Sequence, residues 1–130
     1  MNPAELDLLA ERARAGRLGD AAARLRAAEQ LLGSDDREHV ALAQGLALAL
    51  LAQQSAARLL AARAFDRLRL LAGQPQKYGT ATHLVDGQPQ LWPVDPGTTD
   101  SERAKWGVPA LAELQRHCRG GDGDGGPPSV

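Results

Sequence analysis

Helix punctuation constrains this chain more than any other feature. Within the first 73 residues, a start signal, an Ala/Leu stripe and a stop signal recur four times. Asn2 as N-cap, Pro3 at the first helical position and Glu5 three residues after the cap make a capping box, and Gly16 closes the helix. Leu6, Leu9, Ala10 and Ala13 give it an apolar stripe at helical spacing. The second helix is expected from about Asp20 to Leu32 on Ala21, Leu25, Ala28 and Leu32, with Gly33 as a left-handed terminator. Asp35 and Glu38 read as the cap of a third helix that continues to about Ala52. After the polar break Gln53-Gln54-Ser55, a fourth runs to Ala72 and stops at Gly73 and Pro75.

Paired in order, these helices predict a mainly α fold of two antiparallel helical hairpins. A shift of 34 residues lays Ala22-Ala23-Arg24-Leu25 on Ala56-Ala57-Arg58-Leu59, and Ala27-Ala28 on Ala61-Ala62. That offset is the tetratricopeptide period, although an Ala-rich chain also matches itself by composition, and a plain helical bundle is the simpler reading. Two such repeats do not close a core, because about three are needed. The rest of the chain must therefore cover them.

Beyond Gly73 the Ala/Leu bias gives way, and all four aromatics, Phe65, Tyr78, Trp92 and Trp106, fall between residues 65 and 106. Thr80 to Val85 and Gln88 to Val94 flank Asp86-Gly87, a favoured type I′ pair, so a short β-hairpin is expected, with Pro89 and Pro93 confining its second strand to an edge. Thr99 and Glu102 make a capping box for a short helix ending at Gly107, and Pro109 opens a last one. The expected organisation is one helical domain over 1–118, with hairpins in 1–72 and loop, β-hairpin and short helices in 73–118. A Gly/Pro/Asp tail at 119–130 has too little apolar surface to order itself.

Charge and composition exclude several functions. A net charge of -1 and a pI near 6.3 leave no basic footprint for nucleic acid. The start carries acids where a signal peptide needs an apolar run, and the longest apolar stretch, Leu46 to Ala52, falls short of the ~20 residues a membrane span requires. A cytoplasmic location with no membrane partner is the expectation, and the single Cys118 reads as an incidental thiol. His39, His83 and His117 are widely spaced and read as surface histidines, and the GDGDGG run lacks the Glu that completes a calcium loop. No metal or cofactor is expected.

Candidate chemistry gathers around the end of the fourth helix. On a helical wheel Arg67 falls within the stripe of Leu60, Ala64, Leu68 and Leu71, where an inward guanidinium needs a carboxylate, backbone carbonyls or a ligand anion to meet it. Alternatively the helix end projects beyond the core, where Arg67 snorkels to solvent and its charge suits the helix C-terminus. Next come Gln76, Tyr78, Gly79 and Thr80, and further on Arg103. Asp66-Arg67, Gln76-Lys77-Tyr78-Gly79-Thr80, Pro93-Val94-Asp95, Arg103 and Gly107-Val108-Pro109-Ala110-Leu111 together resemble the signature of an uncharacterised bacterial family of small helical domains. That family's second Gln after the Thr is Ala81 here, and its upstream His/Ala/Asp signature has no counterpart between Ser34 and Ser55. The family has no settled activity, so the resemblance marks a place and implies no reaction.

As binding chemistry, Arg67, Gln76, Tyr78, Gly79, Thr80 and Arg103 suit a small anionic or amide-bearing ligand, or a protein segment. Two other readings stand beside this one. A metal-free acid-base enzyme would draw on Asp66, Tyr78, His83 and Asp95, and a tetratricopeptide-like interaction module would use the helix faces instead. The same residues also suit a loop anchored to the helices for purely structural reasons.

Overall fold

The computed structural model describes residues 1–119, with side-chain surroundings through Cys118. Apart from the backbone of Arg119, the expected tail at 119–130 lies outside the described residues. Six helices and one antiparallel sheet follow in order: α1 (Pro3–Arg14), α2 (Ala21–Leu32), α3 (Arg37–Ala49), α4 (Ala57–Leu71), β1 (Thr82–Val85), β2 (Gln88–Leu91), α5 (Asp100–Lys105) and α6 (Leu111–Arg119). The fold is mainly helical with a small two-stranded sheet. No helix among the described residues is long and apolar enough to cross a membrane.

Local signals set most boundaries. Asn2 Oδ1 accepts the Glu5 N–H at 2.8 Å while Glu5 Oε1 accepts the Asn2 N–H at 3.0 Å, so two orphan donors of α1 are satisfied at once. Asp20 caps α2 through the Ala23 N–H. At the end of α4, the Gly73 N–H donates to the Leu70 carbonyl and the Gln74 N–H to that of Arg69, a Schellman closure that requires the positive φ of +74° found at Gly73.

Four helix ends differ from expectation, and the strands are shorter than expected, β1 starting at Thr82 rather than Thr80 and β2 ending at Leu91 rather than Val94. Asp36, not Asp35, caps α3 by accepting the Glu38 N–H, because Ser34 Oγ takes the Asp36 N–H and sets the turn one residue later. Gly33 keeps a right-handed φ of -76° in place of the left-handed one expected, and the Ser34 N–H tightens the end of α2 onto Leu31. α3 stops at Ala49 rather than Ala52, where Gln53 and Gln54 N–H groups fold back onto the Leu50 carbonyl. Finally, α6 begins at Leu111 rather than Pro109, and the Leu111 N–H is held by Asp100 Oδ1.

Packing divides the molecule in two, and α4 is the shared wall. α3 packs against both α2 and α4, and α1 lies against α2 and α3. Leu31, Val40, Ala43 and Ala64, all at 0% exposure, centre an Ala/Leu core among these helices. Burying a leucine such as Leu31 stabilises by roughly 2 kcal/mol, and the small alanines let the helices approach closely. Ala61 belongs to this core, whereas the adjacent Ala62 belongs to a second one with Tyr78 and Val108, flanked by Phe65, Trp106 and Leu114. Ala62 and Asp66 lie four residues apart on the face that α4 turns toward the C-terminal region.

That region is built on the expected hairpin. Asp86 and Gly87 both have positive φ, 51° and 79°, as a type I′ turn requires, and Val85 pairs with Gln88. A parallel bridge from Gln76 to Val94 ties the hairpin's exit back to the loop after α4. The Thr99–Glu102 capping box opens α5 as expected, and α6 packs on β2.

Candidate functional site

The loop after α4 gathers around Asp66, the neighbour of the arginine expected at its centre. Asp66 is fully buried, and its carboxylate accepts five hydrogen bonds. The N–H groups of Lys77 and Tyr78 donate to Oδ1 at 2.8 and 2.9 Å; the N–H groups of Gly79 and Thr80 donate to Oδ2 at 3.1 and 3.0 Å, where the Thr80 hydroxyl adds a fifth at 2.7 Å. Consecutive backbone amides curled in this way form an anion nest. The loop therefore does bind an anion, and that anion is a side chain of its own chain.

Two further side chains complete the knot. Gln76, fully buried, donates through Nε2 to the carbonyls of Ala81 and Trp92 and accepts the Ala81 N–H at Oε1, while its backbone pairs with Pro93 and Asp95. Arg103, 2% exposed, donates from Nε to the Tyr78 carbonyl at 2.7 Å and from Nη1 to Asp100 Oδ1 at 2.9 Å. Tyr78 thus gives its N–H to a buried carboxylate and its carbonyl to a buried guanidinium. Gly79 makes the turn possible: its φ is +111°, a conformation that side-chain-bearing residues resist, and a Cβ there would lie 2.8 Å from Leu114 Cδ1, so the Leu114 side chain would have to move.

Arg67 stands outside this knot. Its Nε and Nη2 donate to the Ser34 carbonyl at 3.1 and 2.9 Å, and Nη2 reaches Asp35 Oδ1 at 2.7 Å. The guanidinium, on a side chain 32% exposed, meets a carbonyl and a carboxylate near the surface, and it fastens α4 to the α2–α3 turn. With Arg63, Thr80, Ala81 and Glu29 it lines a cleft of about 300 Å3. Tyr78 faces elsewhere, into a hollow of about 240 Å3 shared with Gln44, Leu48, Ala61, Ala62, Phe65 and Trp106. The expected binding residues are therefore split between two surfaces and a buried interior.

The hollow is aromatic and almost free of charge. Phe65 meets Tyr78 edge to face at 5.8 Å, Tyr78 lies 6.1 Å from Trp106, and Lys77 Nζ sits 5.9 Å from the Phe65 ring centre. Burial raises the Tyr78 phenol above its ordinary pKa, Asp66 and Glu102 push the same way, and Arg69 opposes them. The group is a neutral phenol at physiological pH, and among the described residues no protein atom hydrogen-bonds its hydroxyl.

The acid-base candidates do not converge. Asp66 has its oxygens filled by five donors, His83 stacks on Trp92 at 4.1 Å on the hairpin, and Asp95 accepts the Gly97 N–H and lies 3.6 Å from Arg69. No hydrogen bond joins the side chains of Tyr78, His83 and Asp95. Cys118 is half-buried, and burial raises its thiol pKa, which disfavours the reactive thiolate. His39 corrects the expectation of a surface histidine, since it is 4% exposed and held between Ser34 and Asp7. No protein-family model, no curated protein and no solved structure matches this chain.

Proposed function

We propose that this chain is a non-catalytic binding module. It receives a protein segment, or a small amide-bearing molecule, by taking an apolar side chain into the hollow between α3, α4 and the Tyr78 loop. The observation that carries the reading is the wall of that hollow: three aromatic rings, one of them a neutral phenol with no hydrogen-bond partner among the described residues, and the Gln44 amide beside them. Such a surface offers apolar contact to a side chain and neutral hydrogen bonds to the peptide groups on either side of it. Leu48, 45% exposed, borders the hollow and adds apolar area.

The resemblance noted in the sequence fits the same reading. Asp66, the Gln76–Thr80 loop and Arg103 supply the knot that presents Tyr78, so such a signature specifies the rigidity of the binding loop rather than reacting groups. An anionic ligand has the weaker claim, because Arg67 is already paired and Glu29 shares its cleft. Acid-base catalysis is disfavoured by the saturated Asp66. A tetratricopeptide-like arrangement of α2 to α4 is compatible with segment binding, since Gln44 and Leu48 of α3 share the hollow with Phe65 of α4.

N-acetylated amides of leucine, phenylalanine and glycine, titrated into isotope-labelled protein, test the proposal. The leucine and phenylalanine probes should shift the amide signals of Ala62, Phe65 and Tyr78 and the Trp106 indole, and glycine should not. Leu48→Glu, at an exposed position, should weaken both by about tenfold while leaving the fold intact. Shifts centred elsewhere, or none with either probe, would overturn it.

A further inference from the structure

Away from the Tyr78 loop, three metal-ligating groups meet where α1 passes the start of α3. His39, in the first turn of α3, directs its two ring nitrogens to different partners. Nδ1 lies 2.7 Å from Ser34 Oγ; Nε2 lies 2.9 Å from Asp7 Oδ1 and 3.8 Å from Asp36 Oδ2. One imidazole nitrogen and two carboxylate oxygens thus fall within 4.8 Å of one another.

Ser34 bears on what belongs between them. Its hydroxyl accepts the Asp36 N–H at 3.0 Å and can also accept a proton from Nδ1. In that tautomer an imidazole with only 6% of its side chain exposed aims the bare lone pair of Nε2 at two carboxylates, and a positive charge between them, a metal ion or a second ring proton, reconciles the three. In the opposite tautomer Ser34 donates to Nδ1 and Nε2–H donates to Asp7, a closed hydrogen-bonded relay that needs no ion. The position of the second carboxylate favours the first. Asp36 places Oδ1 on the α3 cap and leaves Oδ2 toward His39, beyond hydrogen-bond reach but near the spacing of co-ligands. Bonds of 2.0–2.2 Å at a tetrahedral angle separate two ligand atoms by roughly 3.4 Å, and the observed 2.9 and 3.8 Å bracket that value.

We propose that Asp7, Asp36 and His39 form a binding site for a divalent first-row transition ion of the Zn2+ class. One imidazole and two carboxylates suit such an ion better than the all-oxygen sets of Ca2+ and Mg2+ or the thiolate sets of Cu(I). Ser34 holds the ring from its far nitrogen, as an outer partner does for a metal-bound histidine. The carboxylates are largely exposed, at 68% and 50%, which gives an ion access and leaves room for water in the remaining positions. Glu38 pairs with Arg14 instead and is not part of the set. An ion here would clamp α1 to α3 and is independent of segment binding in the hollow.

Chelator-stripped full-length protein, titrated with Zn2+ by calorimetry at neutral pH, tests the site, with Co2+ absorption as a spectroscopic readout of coordination. Wild type should bind one ion per chain at this site and melt at higher temperature with it. Asp7→Asn and His39→Asn should each weaken binding by about tenfold or more, whereas a His117→Ala, Cys118→Ser double variant should bind as wild type does. Should His39→Asn fail to fold, Asp7→Asn decides, since Asp7 is an exposed residue within α1 whose side chain, among the described residues, bonds only His39. No binding to wild type would overturn the proposal and leave a metal-free hydrogen-bonded cluster; undiminished affinity in Asp7→Asn, or loss of binding in the double variant, would overturn it too.

Discussion

The two sides of α4 are stabilised by different physics. Toward α2 and α3 the contacts are Ala against Leu, non-directional and summed over many small burials. Toward the C-terminal region the centre is polar: a buried carboxylate, a buried amide and a buried guanidinium, tied to backbone groups of one loop. Apolar packing tolerates volume-conserving changes, whereas a polar interior must keep all of its partners, because each donor left unmet costs its full desolvation. The C-terminal side thereby gains one defined loop conformation, which is what a surface presenting Tyr78 needs.

The sharpest way to break this contrast is Asp66→Ala. Five donors lose their acceptor at once, and the expected loss is roughly 4 kcal/mol or more. It should fall on one side. Hydrogen exchange should show the amides of Lys77 to Thr80 losing protection while those of Ala43, Ala47 and Ala61 keep most of theirs. Equal loss on both sides would mean that the two regions fold as a single unit and that α4 is not a divide.

Leu31→Ala is the counterpart on the apolar side. Leu31 is fully buried, and the expected cost is about 3 kcal/mol from lost transfer energy and the cavity left behind. Denaturant unfolding should show a lower midpoint with an unchanged slope, and the Tyr78 loop should keep its amide protection up to the global limit. Selective loss in the loop would contradict the division.

The same contrast explains what could be read from the chain beforehand. The Asn2–Glu5 and Thr99–Glu102 boxes and the Asp86-Gly87 turn were legible because each partner lies within three residues of the other. The Asp66 knot spans 11 to 14 residues, the Arg103 to Tyr78 bond 25 and the His39 to Asp7 contact 32, distances at which no local periodicity reports a pairing. The helical wheel counted apolar positions, found Arg67 among them and rightly required a carbonyl or carboxylate for it. It gave no reading of the face that carries Ala62, Phe65 and Asp66, which turns toward a second core. Around Ser34, one side chain taking the Asp36 N–H was enough to move the cap of α3 by a residue and leave Asp35 to Arg67.

The smallest expected effect probes how α6 is fastened to the polar side. Asp100 Oδ1 accepts the Leu111 N–H at 3.0 Å and Arg103 Nη1 at 2.9 Å, so one carboxylate links the start of α5 to the start of α6. Its pKa lies below the ordinary 3.8, chiefly because of the Leu111 amide and then the Arg103 guanidinium, with desolvation opposing both. A carboxyl whose folded-state pKa is depressed binds its proton more readily when unfolded. The stability it contributes is therefore present above pH 3.8 and is lost as pH falls below that value toward the folded pKa. Asp100→Asn keeps an oxygen acceptor and removes the titration, so its unfolding midpoint should sit slightly below wild type near neutrality and fall less steeply in acid. The two curves should converge once the pH is below the folded-state pKa. Parallel acid limbs would show that Asp100 does not hold α6, and would leave the Leu114 contact at Gly79 as the attachment to test next.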